Sequence, residues 1–137
     1  MWWIYALLSA AFAALTAIFA KVGVKGVDSD LATAVRTVVI LIIAWGIALY
    51  KGSAENMGAL GKANWIFLIL SGCATGLSWI FYFKALQLGK VSQVAPVDKL
   101  SVALAIILSA IFLKEPVTLK SASGALLIIA GTLVLIF

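Results

Sequence analysis

The chain has 137 residues, 65% of them hydrophobic, a mean hydropathy of +1.21, and only ten Lys/Arg and five Asp/Glu. A soluble domain of this size cannot hide so much apolar surface, because its surface is too large for its volume, so an integral membrane protein is expected. There is no histidine and no Gly-rich phosphate loop, which excludes His-based triads, imidazole zinc sites and P-loop chemistry, and an enzyme is not expected.

The net charge of +5 comes from lysines set singly beside apolar runs, where the ordinary role is snorkelling to lipid headgroups. Membrane lipid is therefore the expected partner, and nucleic acid is not. Cys73 is the only cysteine and sits inside an apolar run, so no disulfide, metal or cofactor is expected.

Five apolar runs, about 2–20, 31–50, 65–83, 91–113 and 119–137, each have the length of a transmembrane helix, since roughly 20 helical residues cross a bilayer core. The first opens on Trp2, Trp3 and Tyr5, an aromatic belt at the membrane interface, and carries small residues such as Ala6, Ser9, Ala13 and Ala17 that suit close packing. A secretory signal would need a basic start, which Met1-Trp2-Trp3 lacks, and Ile18-Phe19-Ala20-Lys21 is a poor cleavage site. The run is kept as a span.

In the second run Arg36 stands five or six residues inside, roughly 8 Å along the helix at about 1.5 Å per residue. It either snorkels to the surface or pairs with Asp98 or an anionic substrate group. The third run places Ser71, Thr75, Ser78 and Tyr82 at i, i+4, i+7 and i+11, so four hydroxyls share one helical face. Gly72 and Gly76 form a G-x-x-x-G step that permits close backbone approach, while Trp79 adds aromatic surface and Gln87 an amide near the end. Interhelical hydrogen bonding and a polar cavity wall are both open readings of this face.

The fourth run contains Pro96, which lacks a donor and disfavours helix at Ala95, so a helix is expected either to start at Pro96 or to break there. Asp98 and Lys99 follow. With Pro96 as first helical residue, Asp98 would sit in a first turn and meet the helix dipole favourably. Alternatively Asp98, Ser101, Ala105 and Ser109 form a polar stripe facing a wet cavity, as ionisable groups at membrane depth usually do. Pro116 separates the fourth and fifth runs, and the fifth carries Gly124 and Gly131, seven residues apart, on an expected packing or dimer face.

Five spans put the two ends of the chain on opposite sides of the membrane. Connections one and three, on side A, hold Lys21, Lys25, Lys84 and Lys90, and connections two and four, on side B, hold Lys51, Lys62, Lys114 and Lys120. Adding Arg36 and Lys99, just inside side A, makes six basic residues against four. Orientation normally follows a clear excess, and there is barely one. Two arrangements stay open: single insertion with side A cytoplasmic, or dual topology with copies inserted both ways and paired antiparallel.

The stretches Val94-Ala95-Pro96-Val97-Asp98-Lys99-Leu100-Ser101-Val102, Ile111-Phe112-Leu113-Lys114-Glu115-Pro116, Asp30-Leu31-Ala32-Thr33-Ala34-Val35-Arg36 and Gly76-Leu77-Ser78-Trp79-Ile80-Phe81-Tyr82-Phe83-Lys84-Ala85 strongly resemble the EamA domain of the drug/metabolite transporter superfamily. The resemblance covers the whole chain, 1–137, as one five-helix EamA unit. It implies that Arg36 matches the arginine common near the start of the family's second span and Pro96 its fourth-span proline. Most members join two such units in inverted orientation and export metabolites by alternating access. An inverted pair of identical chains would rebuild that ten-helix architecture. Lys114 stands where the family commonly has glycine. The glutamate that related small multidrug-resistance proteins carry in span one is absent, so neither that proton site nor a preference for lipophilic cations carries over.

The resulting expectation is an all-α, five-transmembrane-helix bundle, a multi-pass protein of the cell's inner or plasma membrane. It would work as an antiparallel homodimer exporting small metabolites or drugs by secondary-active alternating access. The expected substrate lining is Ser71, Thr75, Ser78, Trp79, Tyr82, Asp98, Ser101 and Ser109, with Arg36 and Lys99 as charge partners and Gly124 and Gly131 packing the dimer. A heteromeric or non-transporting subunit, and a lipid or lipid-linked-sugar flippase, are the alternatives. Substrate, coupling ion and direction are not readable, because one fold carries many solutes.

Overall fold

A computed structural model describes residues 1–137 throughout. Helix α1, Trp2–Gly23, has no acidic residue in its first turn and ends with Lys21 beside the negative end of its dipole. Gly26, at φ 72°, takes the left-handed conformation that turns the chain toward α2, Ser29–Tyr50. Asp28 caps α2: its Oδ1 accepts the amides of Asp30 at 3.0 Å and Leu31 at 3.1 Å, a contact worth about 1 kcal/mol. Lys51 and the left-handed Gly52 (φ 67°) end α2 and lead into a 3-10 helix, Ser53–Ala59.

Helix α3, Lys62–Leu88, runs 27 residues, about 40 Å at about 1.5 Å per residue. It exceeds the 65–83 stretch expected from hydropathy because Lys62 and Asn64 at one end and Lys84 and Gln87 at the other continue the helix past the apolar run. The fourth span is two helices, α4 (Val91–Asp98) and α5 (Leu100–Phe112). Lys114, at φ 55°, and Pro116 separate α5 from α6, Leu119–Ile136. Thr118 starts α6 through a capping box with Ser121. Five helical spans are thus long and apolar enough to cross a membrane.

Helix α4 neither begins nor breaks at Pro96, contrary to the expectation from its ring. The interruption falls three residues later, at Lys99, whose amide reaches back to both Pro96 O (3.0 Å) and Ala95 O (3.3 Å). The Thr132 hydroxyl of α6 donates to Ile128 O of its own helix at 2.8 Å and lies 3.2 Å from Pro96 O. With Pro96 O taken by the i+3 amide of Lys99, the helix tightens to a 3-10 turn there and restarts at Leu100. Asp98 accordingly ends α4 rather than opening a helix, and the first-turn role expected for it does not arise.

The chain divides into two compact units, Met1–Phe19 with Leu88–Phe137, and Ala20–Gln87. In the first, α4 and α5 pack on α6, with Ala103 and Thr132 buried. In the second, Ala20, Val24, Ser29, Thr33, Phe83 and Leu86 are buried, and all lie toward the α1–α2 connection and the end of α3. Polar contacts tie that end down. The Gln87 amide donates to Val27 O at 2.7 Å, and the Lys21 ammonium donates to Leu86 O. The opposite end of the same unit is looser: α2 meets the 3-10 helix beside an apolar groove of about 890 Å³, walled by Trp45, Ala48, Met57, Leu60 and Leu68.

Only 11% of the most apolar stretch of α1, and 6% of the corresponding stretch of every other span, is buried inside the chain. Most apolar side chains are thus left for lipid or for another chain to cover.

Candidate functional site

Helical spacing on α3 sets Thr75, Trp79, Tyr82, Phe83 and Leu86 on one broad face, at i, i+4, i+7, i+8 and i+11. Arg36 stands against that face, seven residues into α2, or about 10 Å from its start at about 1.5 Å per residue. The guanidinium carbon lies 4.3 Å from the centre of the Trp79 ring and 5.0 Å from that of Phe83. A cation over an aromatic face is attracted to the ring's electron-rich surface, by ~2 kcal/mol where water is excluded. Phe83 is 2% exposed, so its ring is a fixed wall rather than a passing contact. Tyr82 sits edge-on to Phe83, ring centres 6.3 Å apart, with its phenol close enough to act on the Arg36 charge.

The remaining hydroxyls of the α3 stripe are exposed. Thr75 Oγ1 donates back to Ser71 O at 2.9 Å, a bond within its own helix, while Ser71 and Ser78 open outward. The G-x-x-x-G step is likewise unfilled: a Cβ at Gly72 or Gly76 would meet nothing within 4 Å. Cys73, between them in sequence, is exposed.

In the other unit Asp98 is half-buried and pairs with its neighbour, Lys99 Nζ to Asp98 Oδ2 at 3.0 Å. The pair sits where α4 gives way to α5. Ser101 is exposed, and Ser109 is half-buried with its hydroxyl donating to Ile106 O at 3.0 Å. A Cβ at Gly124 or Gly131 would meet nothing within 4 Å.

Of the residues expected from sequence, the structure brings Arg36, Trp79 and Tyr82 together in one unit and Asp98 with Lys99 in the other. Phe83 was missed. Its only signal was the i+4 spacing from Trp79, and a phenylalanine in an apolar run reads as bulk. Gln87, expected as an amide near the end of the third run, stands there and clasps the α1–α2 connection. Thr132 is buried, with its hydroxyl 3.2 Å from Pro96 O. No group of three His, Cys, Asp or Glu side chains converges as a metal site.

The description "EamA-like transporter family" matches residues 1–137. A protein of Sinorhizobium sp described as "Uncharacterized transporter in cobO 3'region" is 49% identical over 134 residues, 98% of this chain and 95% of that protein. No solved structure matches the chain.

Proposed function

The chain belongs to the EamA-like transporter family, and from that premise we propose that this membrane transporter exports small metabolites or drugs by secondary-active alternating access. It acts as an antiparallel homodimer in the cell's inner or plasma membrane. The observation that carries this reading is the pair of charged sites kept at membrane depth, Arg36 over its aromatic rings and Asp98 with Lys99 at a helix interruption. Ionisable groups in a spanning segment are costly, and interrupted helices are a common home for transporter binding sites. The exposed hydroxyls of Ser71, Ser78 and Ser101 supply further polar lining.

Pairing is supported by the slight internal burial of every span, by the open glycine faces at Gly124 and Gly131, and by the near-even Lys/Arg count of the connections. Reconstituted protein should move solute across proteoliposome membranes. Alanine at Ser78, Tyr82 and Asp98 together should lower that flux at least tenfold, a loss on the scale of one charged contact. Unchanged flux in that variant would remove these residues from the site. Single cysteines placed at either terminus, probed with an impermeant maleimide, should be labelled from both sides of the membrane. Labelling from one side alone would favour a heteromeric partner.

One observation favours a second reading, a lipid or lipid-linked-sugar flippase. The apolar groove between α2 and the 3-10 helix has the volume to hold part of an acyl chain. Accelerated translocation of a fluorescent lipid in the same vesicles would select it.

A further inference from the structure

Arg36 poses an electrostatic problem that the chain leaves half solved. It is a permanent cation in an apolar span, with Val35, Val38 and Val39 around it in sequence and no water-rich end nearer than about 10 Å along the helix. Within Ala20–Gln87 no carboxylate forms an ion pair with Arg36. Asp28 spends its Oδ1 on the start of α2, and Asp30, six residues before Arg36, projects about 120° away around the helix.

Trp79 and Phe83 lie within cation–π distance of the guanidinium, but a ring cannot accept all of its N–H groups. No buried polar side-chain atom in the chain lacks a partner, so the N–H groups of Arg36 that find no protein acceptor are accessible from outside the protein. The two rings confine the guanidinium, and its fork can present two parallel donors to a group that approaches its edge. That geometry matches the two oxygens of a carboxylate or phosphate.

We propose that the edge of the Arg36 guanidinium receives the oxyanion of a small solute, a carboxylate or a phosphate, while Trp79 and Phe83 hold its face. The assignment rests on the transporter reading and narrows it: the cargo carries negative charge at this contact. Binding neutralises the span's cation at the moment the solute is taken up, so the pre-set rings and the waiting charge favour the anion over its neutral isostere.

The test uses full-length protein in lipid nanodiscs and reads the thermal unfolding midpoint against four probes of like shape: benzoate, phenyl phosphate, benzamide and benzylamine. A ligand that binds only the folded state raises that midpoint in a saturable way. Benzoate or phenyl phosphate should raise it, naming the preferred oxyanion, and benzamide and benzylamine should not. Arg36→Gln should weaken the response roughly thirtyfold or more, as for loss of one partner of a desolvated charge pair. Arg36→Lys, which keeps the charge but not the fork, should fall between them.

Equal shifts from benzoate and benzamide, or no shift from either anion, overturn the proposal on wild-type protein alone, whether or not the variants fold. An unaltered response in folded Arg36→Gln overturns it too. Anion binding without solute flux in proteoliposomes would sink the transport reading and leave this site standing. Flux confined to cations or neutral solutes would do the reverse.

Discussion

The two units meet the same demand in different ways. In Ala20–Gln87, a lone cation at membrane depth is accommodated by aromatic rings that come from a helix more than forty residues away in sequence. In the other unit, a cation and an anion are sequence neighbours and settle each other at a helix interruption. The first arrangement leaves net charge to be answered by something else, and the second is neutral by itself. A distant, ring-held charge is the arrangement that our proposal gives to an external ligand, whereas an adjacent pair is locally complete until something separates it.

Mutations can break or sharpen this contrast. Phe83→Ala should have the largest effect, about 3 kcal/mol or more of lost stability from an emptied buried site, seen as a lower unfolding midpoint of purified protein. If that midpoint hardly moved, the ring wall behind Arg36 would not be a fixed structure. Trp79→Leu keeps the bulk but removes the better ring, and should cost ~1–2 kcal/mol, again by thermal unfolding. In Arg36→Leu, the same Trp79 substitution should cost measurably less, because the cation it serves is gone.

Thr132→Val tests the opposite unit. Losing the hydroxyl that bonds Ile128 O and approaches Pro96 O should cost ~0.6–1 kcal/mol, with amide hydrogen exchange at Lys99 and Leu100 reporting any change in the interruption. Smallest in stability terms is Ser78→Ala. Its hydroxyl is exposed, so the midpoint should stay within about 0.5 kcal/mol of wild type, and any fall in flux would then belong to solute contact rather than folding.

How much of this was legible in the sequence follows the same divide. Hydropathy located all five spans, because a bilayer imposes a length that the apolar runs obey. Helix ends were less legible: α3 reaches from Lys62 to Leu88, since lysine, asparagine and glutamine at its ends are compatible with helix but invisible to an apolar count. The 3-10 helix at Ser53–Ala59 carries no strong periodic signal in Ser-Ala-Glu-Asn-Met-Gly-Ala and was not anticipated.

Pro96 was recognised as a disturbance, but the interruption falls three residues later, where the Lys99 amide turns back to Pro96 O. The Asp98–Lys99 contact was available from adjacency. Arg36 was recognised as an anomaly, yet its ring partners needed three-dimensional placement, and Phe83 was hidden among ordinary hydrophobic residues. What a single helix dictates is readable, and what two helices settle between them is not.

The clasp made by Gln87 and Lys21 has a mechanical consequence. In Ala20–Gln87 the helices are fastened at one end, around Val24 and Leu86, and flank an open groove at the other, near Trp45 and Leu68. Two levers pinned at one tip swing widest at the free tip, so stiffness should fall steadily along the span. Spin labels should sense little motion beside Leu86 and progressively more toward Leu68, a gradient that would let one rim of the unit breathe while the other keeps its place.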